Sequence, residues 1–164
     1  MFKNLIKENQ LAFITLINLF LVDRFSKFFI LKLVEQDGKL DYYINSYLNL
    51  YLIWNKGIAF GLLSFNESII YNIITALILI VIFIILIMII KSKGIIKYSL
   101  VFVLAGALGN VFDRVYYSAV PDFIDFHIKE FHWFIFNIAD IFITVGVFCL
   151  IYTELFINKE NKKK

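Results

Sequence analysis

Five ionisable side chains stand inside stretches that are otherwise apolar: Asp23, Lys27, Asp113, Arg114 and Asp140. A charge within a hydrocarbon layer is costly and is usually found facing the interior of a helix bundle, so these are the first candidates for chemistry. Asp23 and Lys27 are four apart, a separation at which two side chains of one helix can pair. Gly106, Asn110 and Asp113 share one helical face, as do Asn137, Asp140 and Thr144, and Gly109 beside the first set allows a neighbouring backbone to come close. Two carboxylates that meet at one depth do not both ionise easily; they share a proton, and such a pair can activate a water while protonating a carbonyl or leaving group. That is the chemistry of an aspartyl protease, in which the pair titrates jointly. The same residue types serve as proton relays in small proton-coupled carriers and as polar glue in membrane assembly subunits, so residue type alone leaves three readings open. Asp113, Asp122, Asp125 and Asp140 are all available for a pair. Asp125 reads as a solvated loop charge, and Arg114 stands ready to keep its neighbour Asp113 ionised.

The elements that must position these groups follow from composition. Of 164 residues, 61% are hydrophobic and 18% charged, with a mean hydropathy of +0.81; soluble domains hold roughly 45–50% apolar and 25% charged residues. A membrane α-helical chain of one domain, residues 1–164, with four transmembrane helices is expected. The clearest helix is 68–90, free of charge and above the roughly 18 apolar residues that a span requires. The others are placed at 11–31, 98–117 and 134–157, each interrupted by the ionisable residues above. The stretch after Lys3 and Lys7 has no small-residue cleavage site, which makes it a retained helix. Lys3 and Lys7, then Lys91, Lys93 and Lys97, then Lys159 and the lysines at 162–164 fall on one side if there are four crossings. By the positive-inside rule both termini are then cytoplasmic, and the loops 32–67 and 118–133 face outward. The first of these, rich in aromatic and β-branched residues between Gly38 and Gly57, is expected to form a small strand-rich lid at the membrane surface, and Trp54 and Trp133 suit an interfacial belt.

Other partners find little support. The net charge of +3 comes from lysine clusters beside apolar runs, which touch anionic lipid more readily than nucleic acid. Cys149 is the single cysteine and reads as packing. His127 and His132 are read as surface or interfacial histidines, because two histidines without a third ligand at recognisable spacing do not make a metal site.

Five strings then occur in order: Asp23-Arg24-Phe25-Ser26-Lys27, Asn55-Lys56-Gly57-Ile58-Ala59-Phe60-Gly61, Gly106-Ala107-Leu108-Gly109-Asn110-Val111-Phe112-Asp113-Arg114, Val120-Pro121-Asp122-Phe123 and Phe136-Asn137-Ile138-Ala139-Asp140. Together they resemble the bacterial lipoprotein signal peptidases. The resemblance implies four transmembrane helices with an extracytoplasmic strand-rich cradle, in the bacterial cytoplasmic membrane, with the active site toward the outer face. It implies cleavage of diacylglyceryl-modified prolipoproteins just before the lipidated cysteine, with no metal or organic cofactor; a monomer is the expected state. By motif position the family's catalytic aspartates fall on Asp122 and Asp140. Asn55, Gly57, Asn110, Asp113, Arg114 and Asn137 fall on its supporting and substrate-binding positions, and Asp23 and Lys27 on its first box. The sequence departs from the family pattern at Pro121, where a small aliphatic residue is common, at Phe134 or Ile135, where a proline is frequent, and at Ile141, where Ser or Thr is frequent. Pro121 biases Val120 toward extended backbone.

Overall fold

With no water in a hydrocarbon layer, backbone N–H and C=O groups must pair within the chain, and helices satisfy that locally. The computed structural model describes residues 2–56, 67–129 and 131–157. It contains helices α1 (Phe2–Asp37), α2 (Glu67–Lys91), α3 (Gly94–Tyr117) and α4 (Ile138–Tyr152, continued by a π-helical turn, Thr153–Ile157), with strands β1 (Asp41–Asn45), β2 (Leu48–Asn55), β3 (Val120–Ile128) and β4 (Phe131–Phe136). Among the described residues, three segments are long and apolar enough to cross a membrane: Tyr71–Lys91, Gly94–Tyr117 and Ile138–Phe156.

α1 extends well beyond residues 11–31. No Gly or Pro interrupts it, so the helix runs on after hydropathy falls away, until Gly38 takes a left-handed φ of 77° and donates its N–H to the Val34 carbonyl at 2.9 Å, a glycine helix stop. At the other end of the chain the boundary moves inward. Residues 134–136, placed by hydropathy in the fourth helix, belong to β4, and much of the second outer loop is strand as well. The helix waits for its cap: the Asn137 side chain accepts from the Asp140 N–H, while the Asp140 carboxylate accepts from the Asn137 N–H, a reciprocal capping box.

The strands form one antiparallel sheet in the order β1-β2-β3-β4. The β1–β2 turn is fixed by Asn45, whose side-chain oxygen accepts from the Tyr47 N–H at 2.8 Å, an Asx turn. Pairing of β2 with β3 sets Ile53 opposite Asp122 and Asn55 opposite Val120, which joins the two outer segments into a single sheet. Phe123 from that sheet packs with Ile30 and Leu40 against Leu33 and Val34 of α1.

α3 is the central helix and packs on α1, α2 and α4. α2 shows the opposite behaviour: Ile73, Leu77, Ile80, Phe83 and Ile84 are exposed, as suits a helix that is apolar all round and has lipid for its solvent. Lys97, expected among the cytoplasmic surface lysines, is buried and donates to Asn9 Oδ1 at 2.7 Å, tying α3 to α1. The α3–α4 seam depends on glycine. A Cβ on Gly106 would collide with the Ala139 carbonyl oxygen and lie 2.7 Å from Ile143 Cγ1, and one on Gly146 would sit 2.6 Å from the Ser99 carbonyl oxygen. Backbone cannot rotate away as a side chain can, so Gly106→Ala is expected to lower stability by about 1–3 kcal/mol, the usual range for overpacking. Thermal unfolding in detergent measures it, and an unchanged midpoint would show that the seam has slack.

Candidate active site

Five elements deliver the polar residues to one place. α1 contributes Asp23, Arg24 and Lys27; α3 contributes Asn110 and Asp113; β2 ends at Asn55; β3 carries Asp122; and the junction of β4 with α4 supplies Asn137 and Asp140. Asp23, Lys27, Asp113, Asp122 and Asn137 are buried. Gly57, with the rest of the string up to Gly61, lies outside the described residues, as do the tail lysines at 159 and 162–164.

Asp122 and Asp140 are both attached to Asn137. Asp122 Oδ1 accepts from Asn137 Nδ2 at 2.6 Å and its Oδ2 accepts from Asn55 Nδ2 at 2.9 Å. Asp140 Oδ2 accepts from the Asn137 backbone N–H at 3.1 Å and its Oδ1 accepts from Asn110 Nδ2 at 2.8 Å. Every carboxylate oxygen therefore receives one amide hydrogen, and an ionised carboxylate offers about four acceptor directions, which leaves room for a water or a substrate N–H. Burial, opposed by the amide donors of Asn55 and Asn137 and aided by the nearby Asp140 charge, pushes the Asp122 carboxyl up to about 6. The first cause is desolvation, which penalises the ionised form.

Behind the pair lies a group of four formal charges that sum to zero. Lys27 Nζ sits 2.6 Å from Asp113 Oδ2 and 2.9 Å from Asp23 Oδ1, so the pair that the i, i+4 spacing permits is made and extended across to α3. Arg24 reaches both acids: Nη1 to Asp113 Oδ1 at 2.6 Å, Nη2 to Asp113 Oδ2 at 2.9 Å, and Nη2 to Asp23 Oδ2 at 2.5 Å. Asp23 Oδ1 also accepts the Ala139 N–H at 3.1 Å, anchoring the first turn of α4. Gly109 makes this approach feasible, since a Cβ there would lie 2.6 Å from Asp23 Oδ2.

Three expectations need correction. Arg114 does not pair with Asp113: its guanidinium lies over the Tyr71 ring, 5.6 Å from the centroid, and its Nε and Nη1 are buried without a hydrogen-bond partner among the described residues. Successive helical positions point about 100° apart, and on the Asp113 side the place of a cation is taken by Arg24 and Lys27 of α1. Asp125 is no solvated loop charge; it is buried in β3 with its Oδ2 3.7 Å from His127 Nδ1, and His127 is buried rather than at the surface. His132 stands opposite His127 in the register, and its side chain lies outside the described residues. Among the described residues no three His, Cys, Asp or Glu side chains gather where an ion could be held.

Arg24 is a site residue beyond those that the sequence motifs assign. Its signal was present, a charge next to Asp23 within the first apolar stretch. The Asn-x-x-Asp spacing of Asn137 and Asp140 was likewise a readable cap.

The model of a family described as signal peptidase (SPase) II matches residues 15–156. The chain is similar to the lipoprotein signal peptidase of Pelagibacter ubique (strain HTCC1062), 52% identical over 158 residues that cover 96% of this chain and 94% of that one. It is 37% identical over 162 residues to the lipoprotein signal peptidase of Francisella tularensis subsp. mediasiatica (strain FSC147), covering 96% and 99%. Among solved structures, a bacterial membrane enzyme determined in meso at 2.3 Å resolution aligns with a TM-score of 0.71 and 28% identity over 94% of this chain and 93% of that one.

Proposed function

The chain belongs to the signal peptidase II family, and from that premise we propose that Asp122 and Asp140 are the catalytic pair with which it removes signal peptides from prolipoproteins. It is a protease of bacterial membranes, of the aspartic type that its family implies. The substrate is a diacylglyceryl-modified prolipoprotein, cut just before the lipidated cysteine. The observation that carries the reading is the joint suspension of Asp122 and Asp140 from Asn137, together with an Asp122 carboxyl near 6 that can hold or release a proton at ordinary pH.

A water lies between the two carboxylates. One takes a proton as the water attacks the scissile carbonyl and the other donates to the carbonyl oxygen; the roles reverse as the amine leaves. The amides of Asn55, Asn110 and Asn137 hold the carboxylates in place; Lys27 holds the Asn110 amide, and with Arg24, Asp23 and Asp113 it ties α1 to α3. α1 joins the three apolar helices as a fourth span, its Asp23, Arg24 and Lys27 satisfied within the bundle together with Asp113 of α3. Lys91 and Lys93 end α2 and begin α3 far from the sheet, which favours a cytoplasmic position for that end and an outward-facing site. The acyl chains of the substrate stay in the bilayer while its peptide enters under the sheet. A monomer suffices, because all the polar groups invoked come from one chain. A proton-coupled carrier would need polar groups through both leaflets, whereas α3 is without a polar side chain from Leu100 to Gly109.

The direct test incubates the purified protein in detergent with a diacylglyceryl-modified prolipoprotein and reads the product by mass spectrometry. A product beginning at the lipidated cysteine is expected, with the unlipidated precursor left uncut; cleavage elsewhere, or equal cleavage of the unlipidated form, contradicts the substrate assignment.

The Asp122 carboxyl also predicts a pH dependence of stability. Its folded value of about 6 exceeds the ordinary 3.8, so between these values the folded protein binds more protons than the unfolded one. The stabilising contribution is complete below about 3.8 and is lost as pH rises through about 6; at about 1.4 kcal/mol per pH unit it totals about 3 kcal/mol. The thermal midpoint should therefore decline from pH 4 to pH 7 more steeply in wild type than in Asp122→Asn. Parallel declines would mean that Asp122 titrates near its ordinary value.

A further inference from the structure

Arg24 falls outside the positions to which the family resemblance gives roles, yet it closes the buried charge group. Lys27 has three N–H donors and donates to three groups: Asp113 Oδ2 at 2.6 Å, Asn110 Oδ1 at 3.1 Å and the Asp23 carboxylate, whose Oδ2 accepts at 3.2 Å while its Oδ1 lies 2.9 Å away. The bond to Asn110 is the one that reaches toward the candidate catalytic pair. By taking Asn110 Oδ1 it leaves Asn110 Nδ2 aimed at Asp140 Oδ1, 2.8 Å away. An amide turned over would set its NH2 against the ammonium and its oxygen against a carboxylate.

Two buried carboxylates sharing one ammonium would draw Lys27 to themselves at the expense of its bond to Asn110. Arg24 prevents this by supplying the second positive charge, with hydrogen bonds to both oxygens of Asp113, to Asp23 Oδ2 through Nε and Nη2, and to the Gly109 carbonyl at 3.1 Å. The rings of Phe112 and Phe20 lie 4.7 Å and 5.6 Å from Arg24 Cζ, so its outer side meets π-faces favourable to a cation. The planar fork divides between Asp113 and Asp23, which a single ammonium on a flexible stem does less well.

We propose that Arg24 is a positioning residue for the reaction, acting through Lys27 and Asn110 to set the orientation of Asp140. The proposal rests on the reading of Asp140 as catalytic. Arg24 touches neither Asp140 nor Asp122; its effect passes along Arg24, the two acids, Lys27 and Asn110.

The test is a double-mutant cycle on cleavage of a diacylglyceryl-modified prolipoprotein by the full chain in detergent, with thermal unfolding recorded for every variant. Arg24→Leu is expected to lower kcat by about 10- to 100-fold, the scale of a small misplacement at a reacting group, with KM changed by less than about threefold. Arg24→Lys, which keeps the charge and loses the fork, should recover much of kcat. Asn110→Ala should lower kcat too, and because both residues act along one path the double variant Arg24→Leu/Asn110→Ala should be little worse than Asn110→Ala alone. A wild-type kcat for folded Arg24→Leu, or losses that multiply independently in the double variant, overturns the proposal. Where Arg24→Leu does not fold, Arg24→Gln and Arg24→Lys take its place in the same cycle with the same criteria. Asp140→Asn measured alongside separates the two levels: full activity there removes the catalytic assignment of Asp140, whereas an inactive Asp140→Asn with an indifferent Arg24 removes only the positioning role.

Discussion

Asp140→Asn and Asp122→Asn are each expected to abolish prolipoprotein cleavage, with a loss of at least about 100- to 10,000-fold, the range that a positioned acid or base contributes. An amide can neither take the proton of an attacking water nor return one to a leaving amine, so the loss should fall on kcat and leave KM nearly intact. The two substitutions are not equally mild. Asp140 Oδ2 receives the Asn137 N–H and Oδ1 receives Asn110 Nδ2, and Asp122 receives an amide on each oxygen as well. An asparagine at either position sets an NH2 against one of these donors, and at Asp122 both donors are side chains that can rotate, whereas at Asp140 one is backbone. Asp140→Asn is therefore expected to unfold at the lower temperature of the two, and activities are compared at temperatures where both are folded. Wild-type cleavage by both variants would show that the pair lies elsewhere, and Asp113 would be the next to substitute.

The largest effect on stability is expected at Lys27. Lys27→Met removes the ammonium that faces Asp23, Asp113 and Asn110 and leaves two buried acids to Arg24. Breaking a buried ion pair from one side costs about 3–5 kcal/mol, because the uncompensated charge stays in a medium that does not solvate it. Cleavage should be lost along with stability, since Asn110 loses the contact that orients its amide. The partner experiment is Lys27→Met/Asp113→Leu. Removing one charge of each sign leaves Arg24 with Asp23, formally neutral, so the double variant should be the more stable of the two although it lacks more polar contacts. Unfolding midpoints in detergent decide the order. If Lys27→Met alone matched wild type, the charge group would be open to water and not the enclosed set that its burial indicates.

How much of this was legible beforehand differs by element. Long uncharged runs announce themselves, and the second helix, read as 68–90, is observed as Glu67–Lys91. Helix ends were harder. α1 continues past its apolar stretch because a helix stops where backbone chemistry stops it, at Gly38, and not where hydropathy falls. Residues 134–136 are apolar enough for a span yet extend as β4, because pairing with β3 and the cap at Asn137 outweigh an apolar run too short to choose by itself. Asp125 and His127 read as exposed for a related reason: whether a polar residue of a strand is buried depends on what covers its face, and that is not a property of its neighbours in sequence.

The sequence by itself determined the solvent, the family and the list of polar residues, because hydropathy, charge and short motifs are properties of neighbouring positions. It also contained the Asp23–Lys27 pair and the Asn137–Asp140 cap, since three- and four-residue separations in a helix carry their own geometry. Only the tertiary structure decided which acids receive which donors. Asn55 meets Asp122 across 67 positions and Arg24 meets Asp113 across 89, contacts made by the β2–β3 register and by a glycine-lined helix seam. For the same reason Arg114, adjacent to Asp113, turns away from it toward Tyr71: on a helix, direction is set by the turn, and partnership by whatever the fold brings to that side.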